Sequence, residues 1–276
     1  MSTRESATQP PTLLQSLSPR GNEATVKTSA ELDLMWEAGQ IVGKTHLVLR
    51  KALRAGMTTH ELDAVAEREI RGMGATPAFK GYHGFPATLC VSINDEIVHG
   101  IPGGRVIEEG DVVSLDLGAV VGGLYGDAAI SVAVGAATDE VKRLLETGEG
   151  SLYAGIKEAR AGNRIGDVSS AVERHVLSCG AYGIVRGYVG HGIGRQLHEA
   201  PSVPNFGRPG RGPAIREGMA LAIEPMVNLG GDDTDVLEDG WTVVTADGSP
   251  SVHFEHTVLI TDGEPIVTTR VAGEQG

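Results

Sequence analysis

Four carboxylates and one imidazole, Asp116, Asp127, Glu224, Glu255 and His191, lie inside or beside apolar, strand-like segments of this chain. Asp116 falls in VVSLDLG, Glu224 in ALAIEPM and Glu255 in VHFEHTVLI, so each acid interrupts a run that should face a protein interior. An unpaired charge is costly there. A single acid in a strand reads as a solvated edge or a salt bridge. The set of five reads as a metal centre, in which divalent cations neutralise the carboxylates together. Such an oxygen-rich group suits Mn, Fe(II), Co or Mg better than the Cys- and His-rich surroundings of structural zinc, and leaves zinc open.

These side chains need elements to hold them. A helix is expected to begin near Thr28, where Thr28 and Glu31 have capping-box spacing, with apolar positions Leu32, Met35, Trp36, Val42, Leu47 and Leu53. An internal echo then organises the chain. RAGMTTHELDAVAEREIRGMGA (54–75) aligns without gaps to RAGNRIGDVSSAVERHVLSCGA (160–181). Both copies carry apolar residues at helical spacing and end at a glycine, Gly74 or Gly180, suited to a left-handed cap. Downstream, EEGDVVSLDLG (108–118) resembles REGMALAIEPM (216–226), each placing an acid in a strand, Asp116 or Glu224, six residues after the Gly. Two matches in the same order point to duplication. The implied unit is helix, helix, then strands, and two copies give an α+β fold with a shared central sheet and outer helices. Carboxylates from both halves then meet at the seam, and the period of two puts Ser114 and Asp116 on one face.

The chain of 276 residues carries a net charge of −13, which argues against a nucleic-acid partner gripped by overall charge. Its two cysteines, Cys90 and Cys179, make no disulfide framework and fit a reducing compartment. No apolar run approaches about 18 residues, and MSTRESATQPP lacks the apolar core of a signal peptide, so a cytoplasmic protein without membrane attachment is expected. Residues 1–27, rich in Ser, Thr, Pro and Gln, read as a flexible tail. Residues 28–276 read as one domain with halves of about 28–135 and 136–270.

The strings SINDEIVHGIP (92–102), SLDLG, YGDAA (125–129), GHGIGRQLHEAP (190–201), AIEPM (222–226), DGWTVVTADG (239–248) and FEHT (254–257) resemble those of type I methionine aminopeptidases. The resemblance runs from about Val26 to about Thr269. It implies the pita-bread fold and removal of the initiator methionine from nascent chains whose second residue is small. It also implies two divalent metal ions, with Asp116 and Asp127 on one, Asp127, His191, Glu224 and Glu255 on the other, and Glu255 shared. A water between the ions would be the nucleophile, with Glu224 either a ligand alone or also the acceptor of the water's proton.

By the same resemblance His198 donates a hydrogen bond to the substrate carbonyl and His99 contacts the peptide nitrogen on the leaving side. Tyr82, Phe85, Cys90 and Trp241 match residues lining the methionine pocket, where aromatic and sulfur contacts suit a thioether. The chain departs from the common pattern at Leu197, often an aromatic, at Phe79, where smaller residues occur, and at Ala200, where an acid is usual. A monomer acting on nascent N-termini, with transient ribosome contact, is expected. Within the same fold, Xaa-Pro peptidases are the competing reading, disfavoured because they generally carry a large N-terminal domain. A metal-free binding module of the same fold would be expected to have lost ligands, and this sequence keeps all five.

Overall fold

The computed structural model describes residues 24–271; most of the segment read as a tail, 1–23, lies outside the described residues. Residues 24–27 were assigned to that tail and prove instead to be seated on the domain. Lys27 is 5 % exposed and pairs with the buried Glu199 at 2.9 Å, while the Thr25 hydroxyl bonds the same carboxylate.

The first half consists of α1 (Ser29–Ala52), α2 (Thr59–Gly72), β1 (Thr76–Pro77), β2 (Leu89–Ile93), β3 (Glu96–Val98), β4 (Val112–Val121) and β5 (Leu124–Ala133). The second opens with α3 (Asp139–Glu158), α4 (Ile165–Cys179), β6 (Gly183–Ile184), β7 (Gly190–Gly192), β8 (Glu199–Val203) and β9 (Ala220–Ile223). It closes with β10 (Met226–Asn228), β11 (Thr234–Val236), β12 (Val243–Thr245), β13 (Ser251–His253), β14 (Glu255–Leu259) and β15 (Ile266–Val267). No helix among the described residues is long and apolar enough to cross a membrane.

The expected start of α1 is present in full. The Thr28 side chain accepts from Glu31 N and the Glu31 carboxylate reaches back to Thr28 N at 2.8 Å, which satisfies donors a helix otherwise leaves open. Met35, Val42 and Leu49 form its buried stripe, whereas Trp36, placed on the apolar face by periodicity, is 50 % exposed. In α2 and α4 the echoed apolar positions Leu62, Ala66 and Ile70, and Val168, Val172 and Val176, are buried. Gly74 is left-handed as expected, at φ 84°. Gly180 is not: it caps α4 at φ 158°, ψ −166°, and the chain leaves extended rather than in a left-handed turn.

A central antiparallel sheet runs β1-β4-β5-β14-β9-β7-β8, with β2 added to β4 and β15 to β14. The hairpin β4–β5 contributes the first half and β14–β9 the second, and they join where Glu255 pairs with Ala129. Each half buries its own core. One gathers Val42, Leu62, Ile70, Leu115 and Ile130; the other Leu152, Val168, Val176, Leu221 and Val258. The duplication extends to the hydrogen bonds. Gly56 N donates to Ile107 O at 2.8 Å and Gly162 N to Ile215 O at 3.0 Å; Gly110 N donates to Val134 O and Gly218 N to Ile260 O. The isolated bridges Thr58–Val106 and Arg164–Ala214 correspond in the same way.

Candidate functional site

Antiparallel partners share a sheet face, and side chains alternate along each strand. Cys90 pairs with Asp116, Asp116 with Ala129, and Ala129 with Glu255. Asp127 lies two residues before Ala129. His191 pairs with Ala222 and Ala222 with Thr257, two residues beyond Glu255. Register alone therefore sets Cys90, Asp116, Asp127, Glu255 and His191 on one face, the face turned away from α1 and α3.

Glu224 arrives differently. The sequence placed it within a strand, but β9 ends at Ile223 and β10 starts at Met226 in another sheet, so Glu224 occupies the break between them. Pro225 has no N–H to continue a ladder. Asn205 Nδ2 holds the Glu224 carbonyl at 3.1 Å, and the freed carboxylate turns to the His191 side, with Oε1 3.5 Å from Nε2.

All five candidate ligands line one cavity of about 170 Å³, together with His99, His198 and all four expected pocket residues. Ligand atoms of Asp127, His191 and Glu255 lie within 4.8 Å of one another. The protein leaves Asp116 Oδ1, Asp127 Oδ1 and Glu255 Oε1 buried without a hydrogen-bond partner. Burial first, then neighbouring negative charge, pushes Asp116, Glu224 and Glu255 well above the usual carboxylate range; burial lifts Asp127 to about 7. Orphaned acceptors among crowded acids are what divalent cations satisfy, so the donor set fits a metal centre.

His191 is prepared as a neutral ligand. Its Nδ1–H donates to Gly192 O at 2.9 Å, leaving the Nε2 lone pair on the acid side, and burial lowers its pKa to about 4. Its approach to Glu224 is therefore not an ion pair near neutral pH. Asp127 is fixed from behind: its N–H donates to Thr257 Oγ1 at 2.9 Å, and that hydroxyl donates to Asp127 O at 2.8 Å.

The cavity's other wall is apolar. Phe85 packs edge-on to Trp241 at 5.2 Å, and His99 lies 6.4 Å from Trp241 and 5.9 Å from Tyr188. His99 takes φ 62° at the end of β3, and Gly100 after it permits close passage, since a Cβ there would stand 2.2 Å from Val91 O. Burial lowers His99 to about 4 and raises the Cys90 thiol well above its normal value, so Cys90 is a packing surface and not a nucleophile. His198 lies 4.2 Å from His191, centroid to centroid, with the rings tilted by 53°, and Tyr82 OH lies 2.8 Å from its Nδ1. Phe79 and Leu197, the two departures from the common pattern, also line this space.

Sequence reading missed two residues here. Tyr188 is set on the wall two residues before Gly190, in a glycine-rich stretch that also carries His191. His253 is fully buried with neither ring nitrogen partnered, and its Nε2 stands 3.8 Å from Glu224 Oε2. The available signal was its position two residues before Glu255.

A family model described as Metallopeptidase family M24 matches residues 33–262. Methionine aminopeptidase 1 of Bacillus subtilis is 49% identical over 245 residues, covering 89% of this chain and 98% of that protein. The chain belongs to family M24, among the methionine aminopeptidases. The crystal structure of methionine aminopeptidase from Thermotoga maritima matches with a TM-score of 0.88 at 43% identity, covering 90% of this chain and all of that one. The prolidase of Pyrococcus furiosus, at 22% identity and a TM-score of 0.71, shares the fold alone. As an M24 metallopeptidase with this donor set, the chain uses divalent metal.

Proposed function

We propose that this chain removes the N-terminal methionine from nascent polypeptides with a small second residue, using two divalent cations held by Asp116, Asp127, His191, Glu224 and Glu255. The observation that carries the reading is the convergence, in one cavity, of orphaned buried carboxylate oxygens with an apolar pocket. Bound there, a pair of Co, Mn, Fe(II) or Zn ions supplies Lewis acidity that makes water nucleophilic near neutral pH and polarises the scissile carbonyl.

The remaining steps belong to the chain's own residues. The methionine side chain enters between Phe85, Cys90 and Trp241, where aromatic faces and a thiol suit a flexible thioether. Glu224 accepts the proton of the attacking water and delivers it to the leaving amine. His198 donates from Nε2 to the carbonyl oxygen as charge develops there. His99, neutral and on the pocket side, contacts the peptide nitrogen of the leaving residue. The proposal extends to a monomer in the cytoplasm, in transient contact with the ribosome.

The test is direct. Protein stripped of metal and reloaded with Co, Mn or Fe(II) should cleave Met-Ala-Ser in preference to an Ala-Pro peptide, and Asp116→Ala or His191→Ala should abolish the cleavage. Preference for the proline peptide, or activity indifferent to metal, overturns it.

A further inference from the structure

Tyr82 faces the cavity with its ring, but its hydroxyl is engaged elsewhere. It lies 2.8 Å from Nδ1 of His198, the two rings tilted by 33° with centroids 5.4 Å apart. The tyrosine is held firmly enough to direct that bond. It opens a 3₁₀ turn, Tyr82–Gly84, entered through Gly81 at φ 88°. Tyr82 N donates to Phe79 O and Phe85 N to Tyr82 O, both at 2.9 Å, and the His83 ring packs edge-on against the phenol at 4.4 Å.

A neutral imidazole carries one ring proton, so one nitrogen donates and the other accepts. If His198 is to donate from Nε2 to a substrate carbonyl, Nδ1 must accept. A phenolic O–H supplies the complementary donor. The reverse arrangement, Nδ1–H donating to the tyrosine oxygen, turns a bare Nε2 lone pair toward the carbonyl. It also leaves the phenolic hydrogen without a protein acceptor, since Nδ1 is the only hydrogen-bond partner of that hydroxyl among the described residues.

We propose that Tyr82 is a positioning residue which donates its phenolic hydrogen to Nδ1 of His198 and so holds that histidine as the Nε2–H tautomer. The proposal rests on the reading of His198 as the donor to the substrate carbonyl.

Tyr82→Phe keeps the ring against the pocket and removes only the hydroxyl. In metal-loaded enzyme with a Met-Ala-Ser peptide, kcat should fall about 10- to 100-fold while KM stays within about twofold. An unchanged kcat, or a loss confined to KM, overturns the proposal and returns Tyr82 to the pocket wall. In a His198→Ala background, Tyr82→Phe should cause no further loss; a full additive loss shows that it acts on something else. A third measurement needs no activity. In ¹⁵N-histidine-labelled protein, with the His198 signals assigned by their absence in His198→Ala, the wild type should show a protonated Nε2 and an acceptor Nδ1. Tyr82→Phe should move those shifts toward a tautomer mixture. A protonated Nδ1 in the wild type overturns the proposal whatever the kinetics. Full activity in His198→Ala would instead remove the catalytic reading of the histidine, and the nitrogen spectrum would still decide the tautomer.

Discussion

In the first half of the molecule, Asp116 and Asp127 project from one hairpin whose two ten-residue strands pair from end to end. In the second, Glu224 stands at the break after β9 and Glu255 begins β14, with strands that form two smaller sheets inserted between them. Related segments thus give short acids on an unbroken plate in one half and longer acids at strand ends in the other. On the proposed reading the plate anchors two of the five cation ligands. The broken half adds His191, His198 and Trp241 to the cavity, and the first half adds Tyr82, Phe85, Cys90 and His99. What divides the copies is backbone support, continuous strands in one and strand ends in the other.

The largest test of that division removes one charge from each half at nearly constant volume. Asp127→Asn and Glu224→Gln should each lower kcat/KM by about 10³-fold or more. They should differ in metal content after dialysis. Asp127→Asn should lose metal, while Glu224→Gln should retain most of it, because its main deficit is in proton transfer. Loss of metal from Glu224→Gln alone would reverse the assignment of roles.

Metal removal probes the same acids through pH. Burial raises Asp127 from the ordinary aspartate range to about 7, so the folded protein holds that proton more tightly than the unfolded chain. Without metal, this residue's contribution to stability is present at low pH and is lost as pH rises from about 4 to about 7. A cation must displace such protons, whereas His191 is already neutral above about 4. The Tm gained on adding metal should therefore be larger at pH 8 than at pH 5.5, read by calorimetry with and without chelator. A gain independent of pH would show that these acids are ionised before the metal arrives.

Much of this architecture was legible in the sequence because duplication repeats its local rules. The capping box at Thr28, the apolar stripes of α2 and α4, and the Gly110 and Gly218 turns follow from residue type and spacing. Glu224 was misplaced because period-two patterning continues through ALAIEPM, and only Pro225 signals that the ladder ends. Trp36 and Gly180 were misread because neither apolar character nor glycine says which surface or conformation the neighbours leave available. The single face that collects Cys90, Asp116, Asp127, Glu255 and His191 depends on which strands pair. Register is a tertiary fact, and the spacing along the chain does not carry it.

The halves also differ in what their helices press against. A Cβ at Gly43 in α1 would stand 2.3 Å from the Thr269 carbonyl oxygen, a backbone atom with nowhere to go. At Gly148 in α3 the nearest atom is a Val252 side-chain methyl at 2.7 Å, which can shift. Gly43→Ala should cost about 3 kcal/mol and Gly148→Ala about half that, in urea unfolding of the metal-loaded protein. Equal costs would mean that the carboxy-terminal strap at residues 268–271 yields as readily as a side chain.

The smallest effect lies where the echoed sequences part at a helix start. Thr58 caps α2, accepting from Glu61 N while the Glu61 carboxylate holds Thr58 N at 2.7 Å. The corresponding residue on α4 is Arg164. Asp167 still reaches back to Arg164 N at 2.7 Å, but a guanidinium has no acceptor to offer in return, so one half of the box is missing. Restoring it with Arg164→Thr should stabilise the protein by about 0.5–1 kcal/mol, less whatever the exposed bond from Arg164 Nη1 to Gly212 O contributes. Thr58→Ala should lose a similar amount. Denaturant midpoints at constant m-value would measure both. If Arg164→Thr destabilises instead, the arginine is tying α4 to the loop at Gly212, and the second half has exchanged a cap for a tether.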